Sequence, residues 1–379
     1  MRVLHVNERA GFYGGVEQIL RDTALGLRDA GWPQALLHTD STPGAEYLAA
    51  FDRYSDRMSI IDDFAPDVLL IHKFERADEI AGLAERLPTV RMVHDHDLVC
   101  LRRHKYFPIG TRVCNHPAGI ACYLHLCVVK RAAPGSLLPI TLAGVGERRR
   151  AIQAHAAVRR FLVGSRWMRQ ELEVNGIPLD RIEIVPPIPA ALGQIEPHPT
   201  STAPELLFVG QVIRGKGVDL FLRALAQVNA PWHATIVGTG NHLDRCKSLA
   251  KELGIAERVH FAGWIPHSEL EPLYAGAAVM VVPSRWPEPF GMVGIEAMAR
   301  GRPVVGFAVG GIPDWLEDGV NGLLVPEADT RAMAGAIDRL LGDRPLRVSL
   351  GEGALACVRK RYRHQAYLEQ LMRILESAS

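Results

Sequence analysis

Apolar positions fall into short runs, each closed by a polar or glycine turn and followed by apolar residues at helical spacing. In the first half the runs are 2–6 (RVLHV), 35–38 (ALLH), 67–72 (DVLLIH), 89–94 (TVRMVH) and 160–163 (RFLV). The theme resumes at 205–209 (ELLFV), 233–237 (HATIV), 258–262, 278–282 and 303–307. Strand runs alternating with helical patterns predict parallel sheets, because parallel strands need crossovers and the crossovers cover both faces. The chain is therefore expected to be α/β with two sheets. Residues 186–204 (PPIPAALGQIEPHPTSTAP) are rich in proline and small residues and poor in charge, as a linker is. The division expected is a first domain over 1–190, a linker over 191–204, a second domain over 205–360 and a closing amphipathic helix over 361–379. That helix carries Tyr362, Tyr367, Leu368, Leu371, Met372 and Ile374.

Length and composition agree. A chain of 379 residues, 48% hydrophobic and 22% charged, has the material for two cores and is not mainly disordered. The longest apolar run, 137–145, is far short of the roughly 18 to 20 residues that span a membrane. Residues 1–7 (MRVLHVN) lack the apolar core of a secretory signal, which predicts a cytoplasmic chain. The net charge of +1 hides an asymmetry: residues 101–170 hold 13 Lys or Arg against one acid, Glu147. A basic face follows, suited to an anionic membrane surface or an anionic acceptor. No nucleic-acid reading motif accompanies it.

The chemistry centres on EPFGMVGIEA, residues 288–297. Prolines at 287 and 289 keep Glu288 out of a regular helix, because a residue before proline is pushed toward extended backbone. Good helix formers follow, so a helix is expected to begin near Phe290 or Gly291 and to carry Glu296 on its second turn. Unpaired amides of Gly291, Met292 and Val293 at such a start attract phosphate. A sugar diphosphate laid across them would meet Glu288 with its sugar hydroxyls and Glu296 with its ribose hydroxyls. Upstream, GQVIRGKGVD (210–219) ends a strand with glycine and offers Arg214 and Lys216 to an anion. VGTGNH (237–242) sets Gly238 in a loop after a strand, and GFYGGVEQIL (11–20) sets Gly14 and Gly15 between the first strand and a helix. In an open α/β sheet that edge binds ligands.

With GKGVD, VGTGN, FAGWIP and GGVE, the segment EPFGMVGIEAMARGRPVVGFAVGGIPDWLEDGVNGLLV resembles the retaining GT-B glycosyltransferases of family 4, most densely over 208–325. The resemblance implies two facing Rossmann-like domains with an active site between them. It also implies sugar transfer from a nucleotide sugar, UDP- or GDP-linked, with retention and without a metal at the diphosphate. By resemblance Glu288 contacts the donor sugar, Glu296 the ribose, Lys216 the phosphates, and Gly14 and Gly15 line a loop that closes on the diphosphate. Five residues before the lysine the family usually has arginine. Here Gln211 stands in that place, and Arg214 is the candidate replacement.

The first domain is expected to supply the acceptor pocket. Its RMVHDHDLVC segment (91–100) ends a strand with histidine, and His94 matches the family's active-site histidine, with His72 the structural competitor. His94, Lys216 and Glu288 form the expected catalytic set, and no carboxylate nucleophile is evident. Gly14, Gly15, Arg214, Gly238, Phe290, Gly291, Met292, Val293 and Glu296 complete the binding set. Cys100, Cys114, Cys122 and Cys127 cluster without a C-x2-C pair. They read as reduced thiols ahead of a zinc site. The expected partners are a nucleotide sugar and a glycan or lipid-linked acceptor. The competing readings are a GT-B epimerase or phosphorylase, and a catalytically silent membrane-surface scaffold.

Overall fold

The computed structural model describes residues 1–74, 76–110, 112–131 and 139–379. Leu137 and Leu138, which open the longest apolar run, lie outside the described residues. The chain divides into two units, the first of residues 1–110, 114–191 and 364–379, the second of 112–113 and 192–363.

The first unit is built on a seven-stranded parallel sheet in the order β3-β2-β1-β4-β5-β8-β9. Its strands are β1 (Val3–Asn7), β2 (Gln34–His38), β3 (Arg53–Ser55), β4 (Val68–Ile71), β5 (Thr89–Val93), β8 (Arg160–Val163) and β9 (Ile182–Ile184); β6 (Val129–Arg131) and β7 (Ile140–Leu142) form a separate antiparallel pair. Helices α1 (Gly15–Asp29), α2 (Ala45–Leu48), α3 (Ile60–Phe64), α4 (Ala77–Arg86), α5 (Ile120–Leu124), α6 (Val145–Ala154) and α7 (Arg166–Val174) connect them. β1, β2, β4 and β5 are buried at every residue, which is why their sequences read as unbroken apolar runs instead of alternating ones.

The second unit has a six-stranded parallel sheet in the order β12-β11-β10-β13-β14-β15. Its strands are β10 (Glu205–Val209), β11 (His233–Val237), β12 (Val259–Gly263), β13 (Val279–Val282), β14 (Val304–Phe307) and β15 (Gly322–Val325). Helices α8 (Val218–Leu225), α9 (Leu243–Glu252), α10 (Glu271–Gly276), α11 (Met292–Ala299), α12 (Thr330–Gly342) and α13 (Arg344–Arg361) cover it. Asp329 and Asp343 cap α12 and α13 by accepting from the amides of Ala332 (2.8 Å) and Leu346 (2.9 Å).

All ten predicted strands are present. β3, β9, β15 and the β6–β7 pair were not predicted; all of them but β15 have three residues, fewer than any predicted strand. The last helix, α14 (His364–Ala378), belongs to the first unit. There the Tyr367 hydroxyl meets the Thr23 hydroxyl of α1 at 2.8 Å, and Leu368 fills the space where a side chain on Gly26 would stand, 2.3 Å from a Cβ.

In each sheet the order of connection reverses once, between β1 and β4 in the first and between β10 and β13 in the second. Loops leaving the carboxyl ends of such strand pairs diverge and leave a crevice. The loops after β1 and β4, and after β10 and β13, hold most of the residues singled out above.

Candidate functional site

In the second unit the loop after β10 carries Arg214 and Lys216 on one turn of 3-10 helix, and Gly217 closes it at φ 71°. A Cβ on Gly217 would lie 1.8 Å from the Pro283 carbonyl oxygen, so glycine alone lets this loop meet the one after β13. The Arg285 and Trp286 amides complete the junction by donating to the Gly215 carbonyl at 3.0 and 2.8 Å.

Across that junction Lys216 Nζ donates to both carboxylate oxygens of Glu288, at 2.7 and 2.9 Å, and the Ser284 hydroxyl donates to Oε1 at 2.5 Å. The Glu288 side chain is 7% exposed and that of Lys216 27%, so the ammonium is the member that faces outward. Glu288 is in a loop, as the flanking prolines predict. Its backbone is held from β14's side: the Gly311 amide donates to its carbonyl at 2.6 Å, and Gly310 (φ 57°) leaves no room for a Cβ, which would stand 2.4 Å from the Glu288 nitrogen.

Gly291 (φ 99°) caps α11, and Met292 and Val293 are its first residues. Trp315 steadies this start: its indole Nε1 donates to the Phe290 carbonyl at 2.6 Å, and its ring fills the space that Gly294 leaves. Phe290 itself is buried against Tyr362, so its side chain anchors the turn from below. Glu296 sits on the second turn of α11 and accepts from the Tyr274 hydroxyl at 3.1 Å through Oε2, while Oε1 takes no hydrogen bond among the described residues. Burial raises its pKa, opposed by the nearby His267 and Arg300. Gly238 (φ 130°) serves close approach, since a Cβ there would lie 1.9 Å from the Gly210 carbonyl oxygen. Arg214 and Gln211 are both exposed.

In the first unit Gly14 is the N-cap of α1 and Gly15 its first residue; both are exposed, and a Cβ on Gly15 would meet nothing within 4 Å. His94 directly follows β5, and its Nε2 lies 3.1 Å from Nδ1 of His72, which follows β4. His72 in turn stacks on His5 of β1, with Nε2 3.1 Å from His5 Nδ1. Burial pulls the pKa of His94 down to about 4, against the Asp95 carboxylate. Lys73 Nζ donates to Asp95 at 2.7 Å and, against the pull of burial, holds that carboxyl well below the usual range. Burial and the Asp95 charge push Asp97 up to about 7.

The basic segment is uneven. Lys105 is buried, ion-paired with Glu171 at 2.6 Å, and so adds nothing to a basic face; Arg149 and Arg150 of α6 are exposed. The hairpin and α5 expose Ile120, Leu124, Ile140 and Leu142, each more than half accessible. Cys100, Cys114, Cys122 and Cys127 are free thiols, and among the described residues no three His, Cys, Asp or Glu side chains are grouped to hold a metal. No helix among the described residues is long and apolar enough to cross a membrane.

Residues 194–356 match the family model described as glycosyl transferases group 1. That part of the chain is similar to the group 1 glycosyl transferases. Among its relatives, the D-inositol 3-phosphate glycosyltransferase of Acidothermus cellulolyticus is 36% identical over 220 residues, 52% of this chain and 48% of that protein. The lipopolysaccharide core biosynthesis glycosyltransferase LpsE of Rhizobium meliloti is 32% identical over 176 residues, 46% of this chain and 50% of that protein. The chain thus spans about half the length of these curated relatives. Over its full length it is similar in structure to Anabaena Alr3699/HepE, solved in complex with UDP and glucose (TM-score 0.73, 18% identity, 100% of both chains). Sucrose-phosphate synthase of Thermosynechococcus elongatus is similar over the same span (TM-score 0.74, 21% identity). The fold is that of GT-B glycosyltransferases.

Within the group 1 part, the structure brings Lys216 and Glu288 into contact and sets Gly291, Met292, Val293 and Glu296 on or beside one helix start. Ser284, Gly310, Gly311 and Trp315 were missed. The sequence signal for them was present in the motif's own glycines: GG at 310–311 and G294 mark places where backbone or indole comes too close for a side chain.

Proposed function

We propose that the chain is a retaining, metal-independent glycosyltransferase. In this reading it moves a hexose-type sugar from a UDP- or GDP-sugar to a hydroxyl of a glycan or lipid-linked acceptor in cell-surface polysaccharide synthesis. The observation that carries this reading is the Lys216–Glu288–Ser284 cluster beside the Gly291 cap of α11, at the carboxyl-end crevice of the second sheet. LpsE and the UDP- and glucose-bound HepE support it as relatives of like kind.

Each residue has a task that follows from its setting. Lys216 is the more exposed member of its pair with Glu288, so its ammonium can turn from Glu288 to the diphosphate as the leaving group gains charge, joined by the amides of Met292 and Val293. Glu288, released from Lys216, keeps Ser284 as a donor and has an oxygen free to accept a donor-sugar hydroxyl. Glu296 offers Oε1 to the ribose hydroxyls while Tyr274 holds Oε2. Arg214 supplies a second cation near the phosphates where Gln211 cannot. With no carboxylate nucleophile in the set, the leaving phosphate takes part in deprotonating the incoming hydroxyl on the same face. The exposed apolar residues of α5 and the hairpin, together with the exposed Arg149 and Arg150, fit peripheral attachment of a cytoplasmic enzyme to an anionic membrane surface.

Thermal unfolding in the presence of UDP, GDP, UDP-sugars and GDP-sugars tests the reading. A ligand at about 100 times its dissociation constant adds roughly 2.7 kcal/mol. The expected result is a raised melting temperature with one nucleotide family, lost in Glu296→Ala. Absence of any shift, with no sugar transfer, would favour the silent scaffold, for which the exposed Gln211 is the one departure in the motif.

A further inference from the structure

Three histidines and a glutamine form a single row through the first sheet, and the row has a direction. Gln34 of β2 donates through Nε2 to the Trp32 carbonyl at 2.8 Å. A carbonyl oxygen only accepts, so the amide nitrogen must face Trp32 and the amide oxygen must face His5, whose Nε2 lies 2.7 Å away. His5 Nε2 therefore carries the proton. The contacts that continue the row, His5 Nδ1 to His72 Nε2 and His72 Nδ1 to His94 Nε2, are each 3.1 Å, with rings nearly parallel at 22° and 16°.

Between two neutral imidazoles one nitrogen must donate and the other accept. With Nε2 of His5 protonated, its Nδ1 accepts from His72 Nε2–H, and Nδ1 of His72 accepts from His94 Nε2–H. Neutrality holds along the row: burial lowers His5 and His94 to about 4 and His72 well below its usual value. The charged groups that bear on it are Asp95, Arg91 and Lys73 at the His94 end, with Arg91 also acting on His72. His94 is the partly exposed end member, and its Nδ1 has no hydrogen-bond partner among the described residues.

We propose that Gln34, His5 and His72 are positioning residues that lock His94 as the Nε2–H tautomer, presenting its Nδ1 lone pair to a hydroxyl of the sugar ligand. A bare lone pair on a neutral ring accepts a hydrogen bond from a hydroxyl and repels a phosphate oxygen, so this end of the first unit selects for sugar over diphosphate. The ligand half of the proposal rests on the transferase reading; the tautomer half does not.

The test is long-range proton–nitrogen NMR of the full chain with nitrogen-labelled histidine at neutral pH. The wild type is expected to show Nε2 protonated and Nδ1 pyridine-like on His5, His72 and His94. In Gln34→Met the row loses its end anchor, and the His94 resonances move to the average of two tautomers. Gln34→Glu restores the wild-type pattern, because a protonated carboxyl donates to Trp32 and accepts from His5 as the amide does. A circular-dichroism melt confirms that each variant is folded, and His72→Phe, which keeps the stack, is the second break in the row. Protonated Nδ1 on wild-type His94, or an unchanged tautomer in both Gln34→Met and His72→Phe, would overturn the lock. For the ligand half, UDP-glucose and GDP-mannose are titrated beside UDP and GDP. An upfield move of His94 Nδ1 with a nucleotide sugar and none with the bare nucleotide is expected. Binding of the sugar nucleotide without that move would overturn the hydroxyl contact. Failure of all four ligands to shift the melting curve would sink the transferase reading and the ligand half with it, leaving the tautomer result to decide the lock.

Discussion

The two units put their chemistry at the same place, the crevice where a parallel sheet reverses its order, yet they build it from opposite materials. In the second unit a lysine and a glutamate hold each other's charge, and the lysine is the more exposed of the two. In the first, neutral rings stand in a buried row that carries no charge and fixes the position of protons instead. The difference suits the ligand groups proposed above for each unit. A diphosphate needs a cation that can leave its resting partner, whereas a sugar hydroxyl needs a lone pair whose direction is settled beforehand.

Removing the outward-facing cation should be the largest blow. Lys216→Ala is expected to cost on the order of 10² to 10³ in turnover, as loss of an anion-stabilising donor does, measured as kcat with saturating donor. Arg214→Ala should cost about tenfold, the 1.4 kcal/mol of one exposed charge-assisted contact. Equal losses for the two would erase the asymmetry between a paired lysine and an exposed arginine.

The neutral row can be broken with acid. His5 and His94 bind protons less readily folded, at about 4, than unfolded, at about 6.5, so their contribution is whole above about 6.5 and is lost as pH falls toward 4. At pH 4 each costs on the order of 3 kcal/mol. Hydrogen exchange should show β1, β4 and β5 losing protection over that window before β10 and β13 do.

Smaller effects sharpen the contrast in backbone. Gly310→Ala drives a Cβ into the Glu288 backbone at a left-handed position and should lower stability by about 1 to 3 kcal/mol in denaturant titration, weakening nucleotide binding as well. Gly15→Ala meets open space at an ordinary φ, so stability should stay within about 0.5 kcal/mol while nucleotide-sugar affinity falls. Unchanged affinity would remove the GGVE loop from the ligand's path.

What could be read in advance divides along sequence distance. Glu288, Pro289 and Gly291 are neighbours in the chain, so a loop, a cap and a helix start could be inferred from one segment, and the structure has them there. Gln34, His5, His72 and His94 are brought together only by the order of β2, β1, β4 and β5, which no local pattern reveals; His72 looked like a strand-end residue because, taken alone, it is one. Ser284 and Trp315 stayed hidden for the same reason: a hydroxyl and an indole acquire a role from the partner that folding delivers. β3 and β9 have three residues each, and β3 lies at a sheet edge where side chains are exposed, so their apolar signal is faint.

The placement of α14 on the first unit means that this unit is not one stretch of chain. On a ribosome, where segments emerge in order, β1 through β9 are made early but their covering helix arrives last, after the whole second unit. The Thr23 hydroxyl and the hollow over Gly26 wait for Tyr367 and Leu368 throughout that interval. The second unit, although begun later, has no such debt to a later segment: its strands and helices are complete once α13 has appeared, so of the two units the one started first closes second.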